Sequence, residues 1–183
     1  MTRKLLVYNM PAEKLEKIMS LKDKYQFDLI ETKENHLGHK VGNLLEENFS
    51  DQVSSQDLNH IDINFLMIHG FADEDLNQLL KDFRDLDLKL PNKCVSTETN
   101  KTWILQDLLK ENQEEAELMP LLHKLYSLRK FAQDLIDSGK DDPALGALVE
   151  EITAYINKQD LEKNPMIEIY NKGAQIVNQY IEK

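Results

Sequence analysis

The chain of 183 residues holds one cysteine, Cys94, and one tryptophan, Trp103. A single cysteine excludes an internal disulfide and suits a reducing compartment. No apolar run approaches the ~20 residues a membrane-spanning helix needs, so a membrane is not an expected partner. The N-terminal apolar stretch Leu5–Tyr8 is far shorter than the roughly 7–15-residue core of a signal peptide, and a cytoplasmic location is expected. Only six glycines and five prolines accompany 41% hydrophobic residues, which describes an ordered globular chain. No Gly-rich phosphate loop occurs, since Gly38 and Gly42 stand alone, and no Gly-x-Ser-x-Gly elbow or Ser-His-Asp ordering is present. Basic charge is also short: 22 Lys and Arg against 33 Asp and Glu leave a formal charge of −11. Such a surface repels phosphate backbones, so nucleic acid is not an expected partner either.

What is present is hydrophobic periodicity. Leu5–Met10 is an apolar run of strand length, followed by a helix with Leu15, Ile18 and Met19 on one face and Pro11 in its first turn. Phe27–Thr32 alternates as a strand near a sheet edge does. The same order returns at Phe65–Ile68, then a helix with Leu76, Leu79, Leu80, Phe83 and Leu86 opened by Asp73-Glu74-Asp75, then the strand Lys93–Thr97. Thr99-Asn100-Lys101-Thr102 supplies capping chemistry for a helix with Leu105, Leu108, Leu109 and Asn112 turned inward. Two βαβ units in series are the natural reading.

Runs that are apolar at every position, such as Leu5–Val7 and Phe65–Ile68, belong to central strands covered on both faces. The expected fold is therefore α/β: a four-stranded β-α-β-α-β-α-β-α domain, doubly wound in the order 2-1-3-4. A ferredoxin-like α+β sheet is the alternative. The segment Lys33–His60 is too long for a hairpin and is expected to cross a sheet face, with Val41, Leu44 and Leu45 in a short helix. Charge changes regime at Met119-Pro120: residues 1–119 carry 14 basic and 23 acidic side chains, residues 120–183 carry 8 and 10. Beyond that point the pattern is helical throughout. One amphipathic stretch runs from Leu121 to Leu135 and ends at Ser138-Gly139; Asp142-Pro143 and Asn164-Pro165 open two more. The expected domains are 1–119, α/β, and 120–183, a three-helix appendage.

Chemistry-bearing groups are sparse. His36-x-x-His39 lacks the three or four fixed ligands a metal needs, and is read as loop histidines in solvent. Cys94 is read as a small strand hydrophobe, and Glu111, Glu114, Glu115 and Glu117 as a solvated helix face. No metal or cofactor is expected. If the sheet is parallel, all strand ends share one edge, where open α/β sheets bind ligands. That edge would gather Asn9, Thr32, His69, Gly70, Thr97, Thr99 and Asn100, with a helix opening at Thr102 to aim free N–H groups at an anion and Trp103 as a stacking wall. The ligand-binding candidates are His69, Gly70, Thr97, Thr99, Asn100 and Trp103.

The stretch Lys93-Cys94-Val95-Ser96-Thr97-Glu98-Thr99-Asn100-Lys101-Thr102-Trp103, leading into a Leu- and Glu-rich helix, resembles the ending of the bacterial family catalogued as domain of unknown function 3783. The Val41-Gly42-Asn43-Leu44-Leu45 element and the strand leading to Gly70-Phe71 fit the same pattern, so the resemblance covers roughly residues 3–118. Asn100 to Trp103 is its most specific part; Cys94 stands where a small residue such as alanine is expected. The resemblance implies a fold unit in a bacterial cytoplasm and no activity. With no catalytic constellation, the expected function is a non-catalytic protein-binding or regulatory module that docks a protein through its C-terminal helices. The alternative is a small anionic-ligand-binding protein, or an enzyme with His69 as acid–base group, with its site at the strand edge.

Overall fold

The structure is a computed structural model that describes residues 2–49 and 58–181. The chain divides into two compact units, Met1–Gln113 and Glu114–Lys183.

The first unit is a four-stranded sheet of β1 (Arg3–Tyr8), β2 (Phe27–Thr32), β3 (Phe65–His69) and β4 (Asn92–Val95), in the order β2-β1-β3-β4. The α/β class and the 2-1-3-4 order follow the sequence pattern. Strand direction departs from an all-parallel sheet: β1 runs parallel to β2 and β3 parallel to β4, but β1 and β3 are antiparallel, with Leu5 opposite Ile68, Leu6 opposite Met67 and Tyr8 opposite Phe65. The sheet is two parallel βαβ units set back to back. Apolar patterning marks β1 and β3 as central but is blind to direction, because side chains alternate between faces whichever way a strand runs.

Direction decides where the helices go. A right-handed crossover from β1 to β2 and another from β3 to β4 put their helices on opposite faces of an all-parallel sheet, but on the same face once the second pair is reversed. Accordingly α1 (Ala12–Met19), α2 (Lys22–Tyr25) and α4 (Asp73–Asp85) bury Ile18, Tyr25, Leu79 and Phe83 against Leu5, Val7, Phe27, Leu66 and Ile68. The other face carries Leu6, Tyr8, Ile30, Phe65 and Met67. It is covered by α3 (Val41–Leu45) and the start of α5 (Leu105–Asp137), through Val41, Leu44, Leu45, Leu105, Leu108 and Leu109. The helix expected at Val41, Leu44 and Leu45 is thus present on this face, but β3 starts at the edge where β2 ends, so the connection is not the crossover that a parallel sheet requires.

The two crossovers correspond position by position. Asn9 after β1 and Gly70 after β3 both have positive φ, 48° and 75°, and each leads through an uncapped turn into a helix. Gln26 and Asp87, with φ of 53° and 49°, end the helical segments. Glycine is needed at the second turn, because a Cβ on Gly70 would stand 2.6 Å from the Thr2 carbonyl oxygen. A carboxylate ties the helices of the shared face together. Asp82 of α4 accepts from Lys24 Nζ at 2.5 Å, from the Tyr25 hydroxyl at 2.7 Å and from Gln78 at 3.0 Å. The Lys24 and Tyr25 hydrogen bonds, in that order, hold its pKa down to about 2.

The second unit packs the rest of α5 with α6 (Pro143–Ile156) and α7 (Lys163–Asn178) around Leu125, Leu128, Ala132, Leu148, Ile152, Met166 and Val177. Pro120 does not separate two helices: α5 runs through it. An internal proline forfeits the hydrogen bond to the residue 116 carbonyl and costs about 3 kcal/mol, a loss offset by the apolar packing of Leu118, Leu121, Leu122 and Leu125 on either side. Asp142 caps α6 as its sequence suggests, accepting from the Ala144 N–H at 2.8 Å. The cap of α7 is Glu162 and not Asn164, so Pro165 sits inside the first turn, where N–H groups have no helical partner anyway. Gly173 lets α7 approach closely, since a Cβ there would meet Leu128 and Leu148 methyls at 2.6 and 2.8 Å.

Two predictions follow from these contacts. Asp82 has a folded pKa below its ordinary 3.8, so its contribution is complete above 3.8 and is lost as pH falls through about 2. Asp82→Asn should therefore lower the melting temperature at pH 5, and the gap to the native chain should close near pH 2 in parallel thermal melts. Gly70→Ala, forced to hold a left-handed φ against the Thr2 carbonyl, should lose roughly 1–3 kcal/mol by urea denaturation.

Candidate functional site

Antiparallel pairing of β1 with β3 sends the strand ends to two edges. Asn9 and Thr32 lie at the carboxyl ends of β1 and β2; His69, Gly70, Thr97, Thr99 and Asn100 lie at the opposite edge, after β3 and β4. The seven-residue edge expected of a parallel sheet does not form.

At the β3/β4 edge the sequence candidates come together, but their polar groups serve one another. Asn100 Oδ1 accepts from the Thr97 N–H at 2.7 Å, its Nδ2 donates to the Val95 carbonyl at 3.0 Å, and its own N–H donates to Thr97 Oγ1 at 3.1 Å. Thr102 Oγ1 donates to the Thr99 carbonyl and Lys101 pairs with Glu98 at 2.7 Å. The helix expected to open at Thr102 is only a 3₁₀ turn, Asn100–Thr102; α5 begins at Leu105. Its first N–H groups are already used, Leu105 donating to the His39 carbonyl and Gln106 to that of Leu37. This long-range pairing has no local sequence signal. Trp103 leaves the group altogether: it packs on the core beneath α3 and borders a recess of about 500 Å³ with Lys40, Asp107 and Glu111.

Ser96, which the sequence did not mark, hydrogen-bonds His69 Nδ1 across 2.7 Å. Burial, then Lys101 and Lys4, lower the His69 pKa, so the ring stays neutral to a pH below its ordinary range. A neutral imidazole beside a hydroxyl is half of an activated nucleophile, but among the described residues no carboxylate is hydrogen-bonded to the ring to orient it.

The histidines near α3 differ from the solvated loop pair the sequence suggests. His39 is buried, its carbonyl taken by Leu105, and its ring lies 6.0 Å from that of His36 with Phe49 against both. His36 Nδ1 accepts the Lys33 N–H at 2.9 Å. Among the described residues no group of three or more His, Cys, Asp or Glu is placed to hold a metal.

The β1/β2 edge is built differently. Between the Asn9-Met10 turn and the segment Thr32–Asn35 opens a cavity of about 630 Å³, bordered by Leu15 of α1 and by His60. Val7, Met10 and Leu15 supply apolar wall; Asn9, Glu31, Lys33, Glu34, Asn35 and His60 supply polar rim. Its frame is fixed from below. Thr32 Oγ1 donates to the Val7 carbonyl at 2.7 Å, fully buried, and Asn64 Nδ2 donates to the Asn9 carbonyl at 2.7 Å while accepting from Lys14 at 3.2 Å. His60 Nδ1 lies 2.6 Å from Glu34 Oε1. Tyr8, also lining the cavity, is 1% exposed, with its hydroxyl buried beside the Ile61 backbone. Burial pushes its pKa up against the opposing hydrogen bond from the Ile61 backbone, and the charges of Glu34 and Asp62 add to the rise, so the phenol keeps its proton.

Residues 64–119 match the family model described as Domain of unknown function (DUF3783). The similarity thus runs from β3 through α4 and β4 into α5; the strand pair β1/β2, with its cavity, lies before it. No curated protein and no solved structure matches the chain.

The sequence pointed to the β3/β4 edge and passed over Tyr8, Glu31, Glu34, Asn35 and His60. One local signal existed: Tyr8 is the single residue with a polar tip in the apolar run Leu5–Tyr8. The pairing of His60 with Glu34 joins residues 26 apart and is visible only in three dimensions.

The His69 environment can be tested directly. A folded pKa below 6.5 means that the unfolded chain takes up this proton more readily, so stability falls as pH drops through 6.5 toward the folded value. In an NMR titration the ring resonance absent from His69→Gln should titrate with a midpoint below 6.5; a midpoint above it would contradict the described burial.

Proposed function

We propose that the chain is a non-catalytic binding module whose α/β unit takes a small ligand at the carboxyl ends of β1 and β2. One observation carries this reading: a cavity of about 630 Å³, with an apolar wall and a polar rim, opens where two adjacent parallel strands end. Its volume falls within the range of small-molecule pockets, roughly 300–1,000 Å³. Its position is the one that βαβ connections leave open, because the chain departs from both strands toward different layers. The polar rim offers binding groups, and the His60–Glu34 contact on it is solvent-exposed.

A second reading concerns the helical unit. A shallow groove of about 370 Å³ between α5 and α7 is lined by Leu128, Phe131, Tyr170, Val177 and Ile181, with Phe131 39% and Ile181 63% exposed. Exposed apolar side chains gathered in a groove favour docking of a protein partner. In this reading ligand binding and partner docking make a regulatory protein of a reducing compartment such as the bacterial cytoplasm, a setting that the lone cysteine favours. Among the described residues no helix is long and apolar enough to cross a membrane.

The small-ligand reading is tested by screening a fragment library against isotope-labelled protein. Hits should move the amide signals of residues 7–10 and 31–35, and Leu15→Trp, which fills the cavity from α1, should abolish those shifts while leaving the circular dichroism spectrum unchanged. A library whose hits all perturb other residues would remove the cavity as a binding site.

A further inference from the structure

We propose that the groove between α5 and α7 seats an amphipathic helix whose apolar anchors are bordered by carboxylates. This rests on the helical unit being a protein-docking surface and goes further by naming the partner's secondary structure and charge.

Charge is the first observation. In a chain of formal charge −11, the two longest stretches without Asp or Glu are residues 118–133 and 169–181. The first lies within α5, and the second covers the later turns of α7 and its end. Every residue lining the groove falls in one of them, from His123 to Phe131 on one wall and from Tyr170 to Ile181 on the other. Among the described residues, none that lines the groove is acidic, and Lys124 gives it a positive charge. Neighbouring lysines are already paired, Lys163 with Glu117 and Lys172 with Glu151. Lys124 instead stands over the Tyr170 ring, its Nζ 5.7 Å from the centroid, with no ion pair among the described residues. A carboxylate arriving here meets an unpaired ammonium and no like charge, whereas most of this acidic surface would repel it.

Shape is the second. Lys124 faces Tyr170, and Leu128 lies against Gly173, so α5 and α7 run in the same direction along the groove. One end is therefore basic, at His123 and Lys124. The other is apolar, at Phe131 and Ile181, with the buried side chains of Leu128 and Val177 between the two. From His123 to Phe131 α5 advances about 12 Å, close to the roughly 10 Å spanned by anchors at i, i+4 and i+7 of an incoming helix. Backbone N–H and C=O groups along both walls are spent within their own helices, so a partner is read through side chains alone. That is the helix-in-groove mode and excludes strand addition.

Three synthetic peptides of about 18 residues, long enough to hold helix, decide the matter. They share leucine anchors at i, i+4 and i+7 and differ only in bordering residues, which are Glu, Gln or Lys. Each is titrated into the full-length protein at low salt and followed by amide NMR. The Glu peptide should move the signals of residues 123–131 and 170–181 and bind tightest; the Lys peptide should bind weakest. Lys124→Glu should weaken the Glu peptide roughly five-fold and tighten the Lys peptide, the effect of one exposed ion pair. Both changes should shrink near 1 M salt, where the screening length falls to about 3 Å. Phe131→Ala, at a half-exposed position, should weaken all three peptides alike while leaving the thermal melt unchanged. If the Gln or Lys peptide binds the same residues as tightly as the Glu peptide, the charge preference is overturned while the groove remains a docking surface. If no peptide moves those residues, the docking reading of the helical unit falls with it. Concentration-dependent dimerisation in sedimentation equilibrium, abolished by Phe131→Ala, would assign the groove to a second copy of the chain and overturn the proposal.

Discussion

The antiparallel seam between β1 and β3 sets everything else in the α/β unit. Both strands are buried along nearly their whole length, and their facing residues divide cleanly between layers: Leu5 and Val7 with Ile68 and Leu66 on one face, Leu6 and Tyr8 with Met67 and Phe65 on the other. Each strand then pairs parallel with its own crossover partner. Reversal at the seam gathers the crossover helices on one face, where Asp82 joins α4 to α2, and leaves the other to α3 and the start of α5. It also separates the strand ends, so a single ligand edge of the doubly wound kind does not exist here.

The two resulting edges are equivalent in topology and opposite in chemistry. At each, a strand ends in a positive-φ turn and its partner strand passes into a short 3₁₀ turn, Glu34–His36 in one case and Asn100–Thr102 in the other. Asn100 makes the difference. Its amide bridges Thr97 and Val95, folding the chain back onto the end of β4 and using the donors that a ligand would need. After β2 the comparable bond runs from the Lys33 N–H to His36 Nδ1, while Glu34 and Asn35 line the rim of an open cavity and Asn64 props the Asn9 turn from beneath. An internal hydrogen-bond network closes one edge; the other keeps a cavity open.

Much of the architecture was legible from periodicity. Strand and helix positions, the central placement of β1 and β3, the short helix at Val41, Leu44 and Leu45, and the order of the sheet all follow from which positions are apolar, because burial is what those residues are chosen for. Local rules failed at particular residues. Pro120 reads as a break and lies within α5, since tertiary packing outweighs the lost hydrogen bond. Asn164 reads as a cap, yet Glu162 takes that place because the first turn tolerates a proline at more than one position. His39 reads as solvated and is buried beneath the start of α5.

The sequence alone determined the α/β class, the four strands and the run of C-terminal helices, since each rests on spacing within about a dozen residues. Tertiary structure decided the direction of β3 relative to β1, and with it the site. Strand polarity depends on where a connection of some thirty residues delivers the chain, and no side-chain pattern records that. The cavity is likewise assembled from four segments far apart in sequence, Val7–Met10, Leu15, Glu31–Asn35 and His60, which only the folded sheet brings to one edge.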